Sequence, residues 1–309
     1  MLYSYGSFLS KITLSLLCIV APVPYVSINP SKRKEVQVVL NYNQYMKVES
    51  HIQLPISVIE SFSEKKPVVG ENGKINKTDF VNVLGYGQNN ISLVRTNEYG
   101  SQFGYYTEDI ENLLSSEFET PIGEIRKKLI AFSKRKISEV SINNNDFLII
   151  KRYLQMLLYR SQYFFNLYLK ESKVASVVGT THSEYIQMCY DLNIKPFENF
   201  DGYTIAVVVS NGERMFINSF TGFSFYQNRN ISDKPMFFTP LSPTCGILFL
   251  LPKSLEKKDI YLDHLIANDD AVLDINKKIA ITETIYSKNS LISKREKELL
   301  EVLQDFSVK

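Results

Sequence analysis

The chain has 309 residues, 44% of them hydrophobic and 22% charged, a balance typical of a folded globular protein and not of a disordered one. Its 35 Lys and Arg residues and 33 Asp and Glu residues leave a formal net charge of +2. This charge excludes a strongly basic nucleic-acid coat and a strongly acidic tail. The 19 Phe and 19 Tyr residues are enough to build a large core without a disulfide or a structural metal.

The first thirty residues are apolar and have two interpretations. Residues 12–21 form an uncharged apolar run followed by Pro22 and Pro24, which resembles the core of a signal peptide. The uncharged stretch 12–28 is shorter than the roughly twenty residues that span a bilayer. We therefore expect residues 1–30 to be either the buried start of the fold or a targeting segment, without stable membrane insertion. A cytoplasmic protein is expected, and export or membrane association through residues 12–28 is the alternative.

The middle of the chain predicts helices. From Thr107 to Leu129, apolar residues recur at spacings of three and four, and Pro121 predicts a kink or break near Thr120. Residues 146–169 are apolar around most of a helical circumference, which is typical of a helix in the centre of a domain. Thr181, followed by Glu184 three residues later, predicts a capped helix start.

The second half predicts strands followed by two helices. Two β-rich runs at 203–209 and 214–220 flank Asn211-Gly212, a pair typical of a tight β-hairpin turn. Residues 246–251 predict a further buried strand, and Asp270 and Ser293 are the expected caps of the last two helices. The predicted fold class is therefore α+β, with a helical middle packed against a β-rich second half, in a single domain of residues 31–309.

Familiar catalytic motifs are absent from the sequence. It contains no phosphate-binding P-loop, no Gly-x-Gly-x-x-Gly after a strand, no Gly-x-Ser-x-Gly elbow and no His-Glu-x-x-His pair, which removes the large enzyme classes that carry them. The three cysteines and three histidines are widely scattered, so no zinc site is expected. His51 and His182 are expected to be caps or surface residues.

Polar residues on apolar helices are the best candidates for chemistry. Glu111 and Glu117 lie on the first predicted helix, and Arg160 lies in the apolar one. A buried, unpaired guanidinium would cost several kcal/mol, so we expect Arg160 to pair with Glu111 or Glu117. The three residues form either a structural ion pair or a polar cleft that binds a metal or a phosphate-bearing ligand. Six positions correspond to about 240° around a helix, so the two glutamates could share a metal only with a kink or a third acid.

A basic run adds a second question about partners. Arg126-Lys127-Lys128 and Lys134-Arg135-Lys136, with Phe132 between them, are typical of a solvated helix face. The same run could also follow a nucleic-acid backbone.

Several short blocks over about residues 50 to 290 are similar, in order, to the bacterial domain of unknown function family 4238. The blocks are His51 with Pro55–Phe62, the acidic helix 107–129, Tyr159-Arg160-Ser161, Phe216–Ser219, Pro240–Pro243 and the helix ending at Tyr286-Ser287. The chain departs from the family pattern in two places: His51 stands four residues before Pro55 instead of three, and Phe220 and Gly222 replace an aspartate and a proline. The resemblance implies a bacterial or phage-borne cytosolic protein with a defence or toxin-like role, and it adds His51, Asn218 and Ser219 as candidate binding residues.

Three functional hypotheses follow from these residues. The first is a nuclease-like, nucleic-acid-directed effector in which Glu111 and Glu117 hold Mg²⁺ and Arg160 steadies a phosphate. The second is a non-catalytic module that binds protein or nucleic acid, in which the same residues are structural. The third is a membrane-tethered or exported protein. The sequence names no cofactor, and Mg²⁺ is expected only under the first hypothesis.

Overall fold

The computed structural model describes residues 49–51, 53–69, 74–134, 142–171, 179–191, 204–226, 236–250 and 262–306. The predictions for the apolar segment 1–30 lie outside these residues. In the described part, no helix is both long enough and apolar enough to cross a membrane.

The described part of the chain contains twelve strands, eight α-helices and one π segment. The strands are β1 (Glu49–His51), β2 (Glu64–Val69), β3 (Ile75–Gly85), β4 (Ile91–Arg95), β5 (Ser101–Phe103), β6 (Thr204–Ser210), β7 (Asn218–Ser219), β8 (Ser224–Tyr226), β9 (Met236–Ser242), β10 (Cys245–Leu250), β11 (Leu262–Ala267) and β12 (Ser290–Ser293). The helices are α1 (Ile56–Ser61), α2 (Glu108–Leu114), a π segment (Ser115–Glu119), α3 (Thr120–Ser133), α4 (Asn144–Arg160), α5 (Gln162–Glu171), α6 (His182–Asp191), α7 (Asp269–Tyr286) and α8 (Glu296–Phe306).

Two five-stranded sheets organise the fold. The first runs β2-β3-β12-β7, with β4 also paired to β3, and all of its pairings are antiparallel. The second runs β11-β6-β10-β9-β8 and is antiparallel except for the parallel pair β11 and β6. A separate two-stranded ribbon joins β1 to β5. Helix α3 packs on β6, β9 and β10, so the α+β prediction of helices packed against the β-rich second half is confirmed.

The predicted hairpin at Asn211-Gly212 is wrong. Strand β6 pairs with β10 and β11, whereas β7 pairs with β12 in the other sheet. Gly212 does not take the positive φ angle that such a turn requires. The segment after Ser210 therefore carries the chain from one sheet to the other. The hairpin of this region joins β9 and β10 instead, through Pro243 and Thr244.

Side-chain contacts with Asp269 explain this crossover. The Asp269 carboxylate accepts a hydrogen bond from the backbone N–H of Arg214 at 2.8 Å, and the Ser210 hydroxyl donates to the Arg214 carbonyl at 2.7 Å. A Cβ atom on Gly212 would lie 2.0 Å from Asp269 Oδ1. The Asp269 side chain thus fills the space beside Gly212, whereas the backbone conformation of Gly212 does not itself require glycine.

The predicted irregularity near Thr120 takes the form of a π turn. Helices α2 and α3 continue into each other through Ser115–Glu119, where the N–H of Thr120 bonds to the carbonyl of Ser115, five residues back. Pro121 lies two residues after the end of this segment and has no N–H to give to the preceding turn. The wider turn keeps the helix continuous where an α-helix would lose a hydrogen bond.

Side-chain caps set several other helix ends, which lie close to the predicted positions. Helix α4 begins two residues before the expected Asp146, because Asn143 and Asp146 form a reciprocal cap. The predicted helix 146–169 is divided at Ser161, which has an extended ψ of 118°. The cap of α6 by Thr181 and Glu184 is confirmed. Asn268 caps α7 in place of the expected Asp270.

Candidate functional site

Arg160 is the last residue of α4 and is only 1% exposed. Its Nη1 donates to Glu119 Oε1 at 2.7 Å, and the Glu119 side chain is 25% exposed. Arg160 is buried and ion-paired, but the prediction of Glu111 or Glu117 as the partner is wrong for this ion pair. The partner is Glu119, which the sequence interpretation had not named.

The π segment explains why a third glutamate reaches the arginine. A π turn takes up about one residue more than an α turn, so the eight positions that separate Glu111 from Glu119 cover about two turns. Glu111 and Glu119 thus lie on the same side of the helix. Burial, the largest single influence, disfavours the charged form of Arg160, but Glu119, Tyr106 and Glu111 together outweigh it and raise the pKa of Arg160.

His182 begins α6 and is buried among aromatic rings, which corrects the expectation of a cap or surface residue. Its ring stacks on Phe165, with 4.6 Å between centroids and 6° between planes. Its Nε2 donates to the carbonyl of Tyr159 at 2.9 Å, because a carbonyl can only accept. Its Nδ1 lies 3.0 Å from the Tyr105 hydroxyl. Burial lowers the pKa of His182 to about 4, so the imidazole is neutral near pH 7.

The candidate binding residues lie on strands of two different sheets. His51 lies in β1 with its backbone opposite Ser101, and its side chain lies outside the described residues. Asn218 and Ser219 are both 0% exposed. The Asn218 amide donates to the Pro240 carbonyl at 3.3 Å, and Ser219 Oγ lies 2.9 Å from Thr221 Oγ1. The structure thus places Asn218 and Ser219 in the interior, where the Asn218 amide links β7 to β9 of the other sheet and the Ser219 hydroxyl bonds within its own segment.

Sequence interpretation missed a buried acid beside this network. Glu283 is fully buried, and its two oxygens accept hydrogen bonds from the backbone N–H groups of Thr221 at 3.0 Å and of Asn289 at 3.1 Å. Burial raises its pKa. The signal was present in the sequence, because Glu283 follows Ile279 by four residues and precedes Tyr286 by three, on the buried face of α7.

Glu117 points to a different part of the molecule from Arg160. It lines an open cleft of about 380 Å³ together with Phe118, Arg152, Gln155, Tyr159, Tyr190 and Asp191. Three elements build this cleft: the π segment, α4 and the end of α6. Helix α4 connects the other two elements, since it contacts both the π segment and α6. Of the three predicted catalytic residues, only Glu117 lines this cleft.

The cleft is lined by charges of both signs, of which Arg152 and Asp191 are exposed and Glu117 is half-buried. Neither Glu117 nor Arg152 takes part in any ion pair in the described part of the chain, although they carry opposite charges and line the same space. A second acid, Asp191, accepts a hydrogen bond from the Gln187 amide at 2.8 Å. Both charge signs are therefore available to a ligand in the cleft.

Aromatic rings line the rest of the cleft. Tyr190 is 37% exposed and meets Phe118 edge to face, with 6.2 Å between ring centroids. Burial and the Glu117 carboxylate raise the pKa of Tyr190, which keeps its hydroxyl protonated. The Gln155 amide donates to the Tyr159 hydroxyl at the edge of the cleft. Two tyrosines thus present hydroxyl groups beside apolar ring faces.

Among the described residues, no group of three or more His, Cys, Asp or Glu side chains is placed to hold a metal ion. Glu111 and Glu117 belong to different environments, one near Arg160 and the other in the cleft. Cys189 and Cys245 are free and buried, and burial raises the pKa of each thiol to about 12. Neither thiol is poised as a nucleophile at neutral pH.

The basic run on α3 lies largely at the surface. Lys127 and Lys128 are exposed, and the Lys127 ammonium pairs with Glu124 at 2.7 Å. Arg126 is half-buried. Residues 135 and 136 lie outside the described part of the chain. This part of the run is a solvated helix face, and its use by a nucleic acid stays a prediction.

Comparison of the chain with protein-family models, curated proteins and solved structures found no match. The resemblance to family 4238 therefore stays a prediction, and the functional argument depends on the geometry above.

Proposed function

We propose that this protein is a non-catalytic interaction module that holds a small ligand in the cleft between the π segment, α4 and α6. One observation carries the proposal: Glu117 and Arg152 face the same cleft with opposite charges and form no ion pair in the described part of the chain. Charged groups that converge on a concave space beside aromatic rings are typical of sites that orient a ligand.

The size and lining of the cleft support a small molecule. Its volume of about 380 Å³ falls within the roughly 300–1,000 Å³ of small-molecule sites. Phe118 and Tyr190 supply apolar area, and Gln155 and Tyr159 supply hydrogen-bonding groups. Such a lining can desolvate part of a ligand while fixing its orientation.

The burial of Arg160 favours a structural role for that residue. Its guanidinium would have to leave Glu119 to reach a phosphate, and separating a buried ion pair costs about 3–5 kcal/mol. This cost supports a binding module over a nuclease that depends on Arg160. The nuclease-like hypothesis stays a prediction with a direct test: degradation of RNA or DNA by purified protein in Mg²⁺ or Mn²⁺, abolished by Glu117→Gln.

A ligand screen tests the proposed function. Purified protein is screened by thermal shift against a library of small metabolites, and hits are confirmed by calorimetry. We expect at least one ligand whose affinity falls about tenfold or more in Glu117→Gln or Arg152→Gln, since each variant removes a charge-assisted contact. Glu108→Gln and Lys128→Gln, which remove exposed charges outside the cleft, are the matched controls. The proposal fails if every ligand binds the cleft variants as well as the controls.

A further inference from the structure

We infer that the ligand of this cleft is a small zwitterion of the α-amino acid type, with a free ammonium group held by Glu117 and Asp191 and a free carboxylate held by Arg152. This inference rests on the proposed function and names its substrate class.

The charges that line the cleft favour a ligand with a positive and a negative group. The cleft lining contains one guanidinium and two carboxylates, and Glu117 and Arg152 are engaged in no ion pair within the described residues. A ligand with both charges would satisfy both groups at once. Arginine suits a carboxylate, because its planar guanidinium offers two parallel hydrogen bonds to the two oxygens.

The aromatic rings that line the cleft favour an ammonium group attached to an apolar body. Tyr190 and Phe118 meet edge to face in the cleft wall, beside the Glu117 carboxylate. An ammonium group is attracted to the face of an aromatic ring as well as to a carboxylate. The same rings can pack against the side chain of an amino acid, so the part of the cleft beside Glu117 is suited to a cation attached to an apolar body.

Ligands with a single kind of charge fit this lining less well. A nucleotide or another polyanion would meet Arg152 but would be repelled by Glu117 and Asp191, which leave the lining with one net negative charge. A simple cation would be attracted by the two acids but repelled by Arg152. Only a ligand that carries a positive group and a negative group at separate positions avoids both repulsions.

A panel of matched probes tests the inference. The twenty L-amino acids are screened by thermal shift, and each hit is compared by calorimetry with its N-acetyl derivative, which lacks the ammonium group, and its carboxamide, which lacks the carboxylate. We expect each derivative to bind about tenfold or more weakly than the parent amino acid. Glu117→Gln should weaken the parent but leave the N-acetyl derivative unchanged. Arg152→Gln should weaken the parent but leave the carboxamide unchanged.

The outcomes separate this inference from the proposed function. If the metabolite library yields a cleft-dependent ligand with only one kind of charge, and no amino acid binds, the inference fails and the binding module stands. If neither library contains a ligand sensitive to the cleft variants, both fail. An amino acid that binds Glu117→Gln and Arg152→Gln as tightly as the control Lys128→Gln also overturns the inference. Circular dichroism melting of each variant shows whether it is folded, and Glu117→Ala and Arg152→Ala, which also remove the charges, replace any that is not.

Discussion

Arg160 Nη1 lies 2.7 Å from Glu119 Oε1, joining the last residue of α4 to the last residue of the π segment. The pair is asymmetric, because Arg160 is 1% exposed whereas the Glu119 side chain is 25% exposed. The acid can reach water if its partner is removed, but the arginine cannot. Because of this difference, substitution of Glu119 and substitution of Arg160 should reduce the stability of the protein by different amounts.

Glu119→Gln should therefore destabilise the protein more than Arg160→Met. Loss of the acid leaves a buried cation without its closest partner, which costs about 3 kcal/mol or more, whereas loss of the arginine leaves an acid that can be hydrated. The destabilisation of each variant is measured as the change in its free energy of unfolding in urea. The double variant should recover part of the loss seen in Glu119→Gln. Equal losses in the two single variants would contradict this account.

The buried His182 should make stability depend on pH. Its folded pKa of about 4 lies below the unfolded value of about 6.5, so the unfolded state binds the proton more readily. The contribution of His182 is fully present above about pH 6.5 and is lost as the pH falls toward 4, up to about 3 kcal/mol in all. His182→Gln keeps an N–H donor for the Tyr159 carbonyl and should flatten this part of the profile. Parallel profiles for wild type and variant between pH 7 and 4 would show that His182 does not titrate in this way.

Glu283→Gln should destabilise the protein although it is nearly isosteric. Both oxygens of Glu283 accept backbone N–H groups, from Thr221 and Asn289. A glutamine offers one oxygen and one NH₂ group, so one backbone N–H would face another donor. An unsatisfied buried donor costs about 1–3 kcal/mol. The free energy of unfolding is measured against Glu184→Gln, which changes an exposed glutamate on α6, and a loss no larger than in that control would refute the prediction.

Gly212→Ala should destabilise the protein through contact with Asp269. A Cβ at 212 would lie 2.0 Å from Asp269 Oδ1, and crowding of this kind costs about 1–3 kcal/mol. The cost should shrink when Gly212→Ala is made in an Asp269→Ala background, which a double-mutant cycle in urea measures. If glycine were required for its backbone conformation, the cost would be the same in both backgrounds.

The sequence by itself determined the features that depend on neighbours along the chain. The helical middle follows from apolar residues at three- and four-residue spacing, and Thr181 with Glu184 marked a helix start through their own hydrogen bonds. The burial of Arg160 also followed from its apolar helix. These features are local, so a short window of sequence contains the interactions that produce them.

The tertiary structure alone decided which distant groups meet. Asn211 and Gly212 favour a hairpin locally, but β6 gains its partners from β10 and β11, and Asp269 fixes the chain's path to the other sheet. The partner of Arg160 depended on a π turn that rotates Glu119 toward it. The cleft joins Glu117, Arg152 and Asp191 from three helical elements. These contacts depend on how helices and strands are rotated and packed against one another. That packing is set by interactions between residues far apart in the chain.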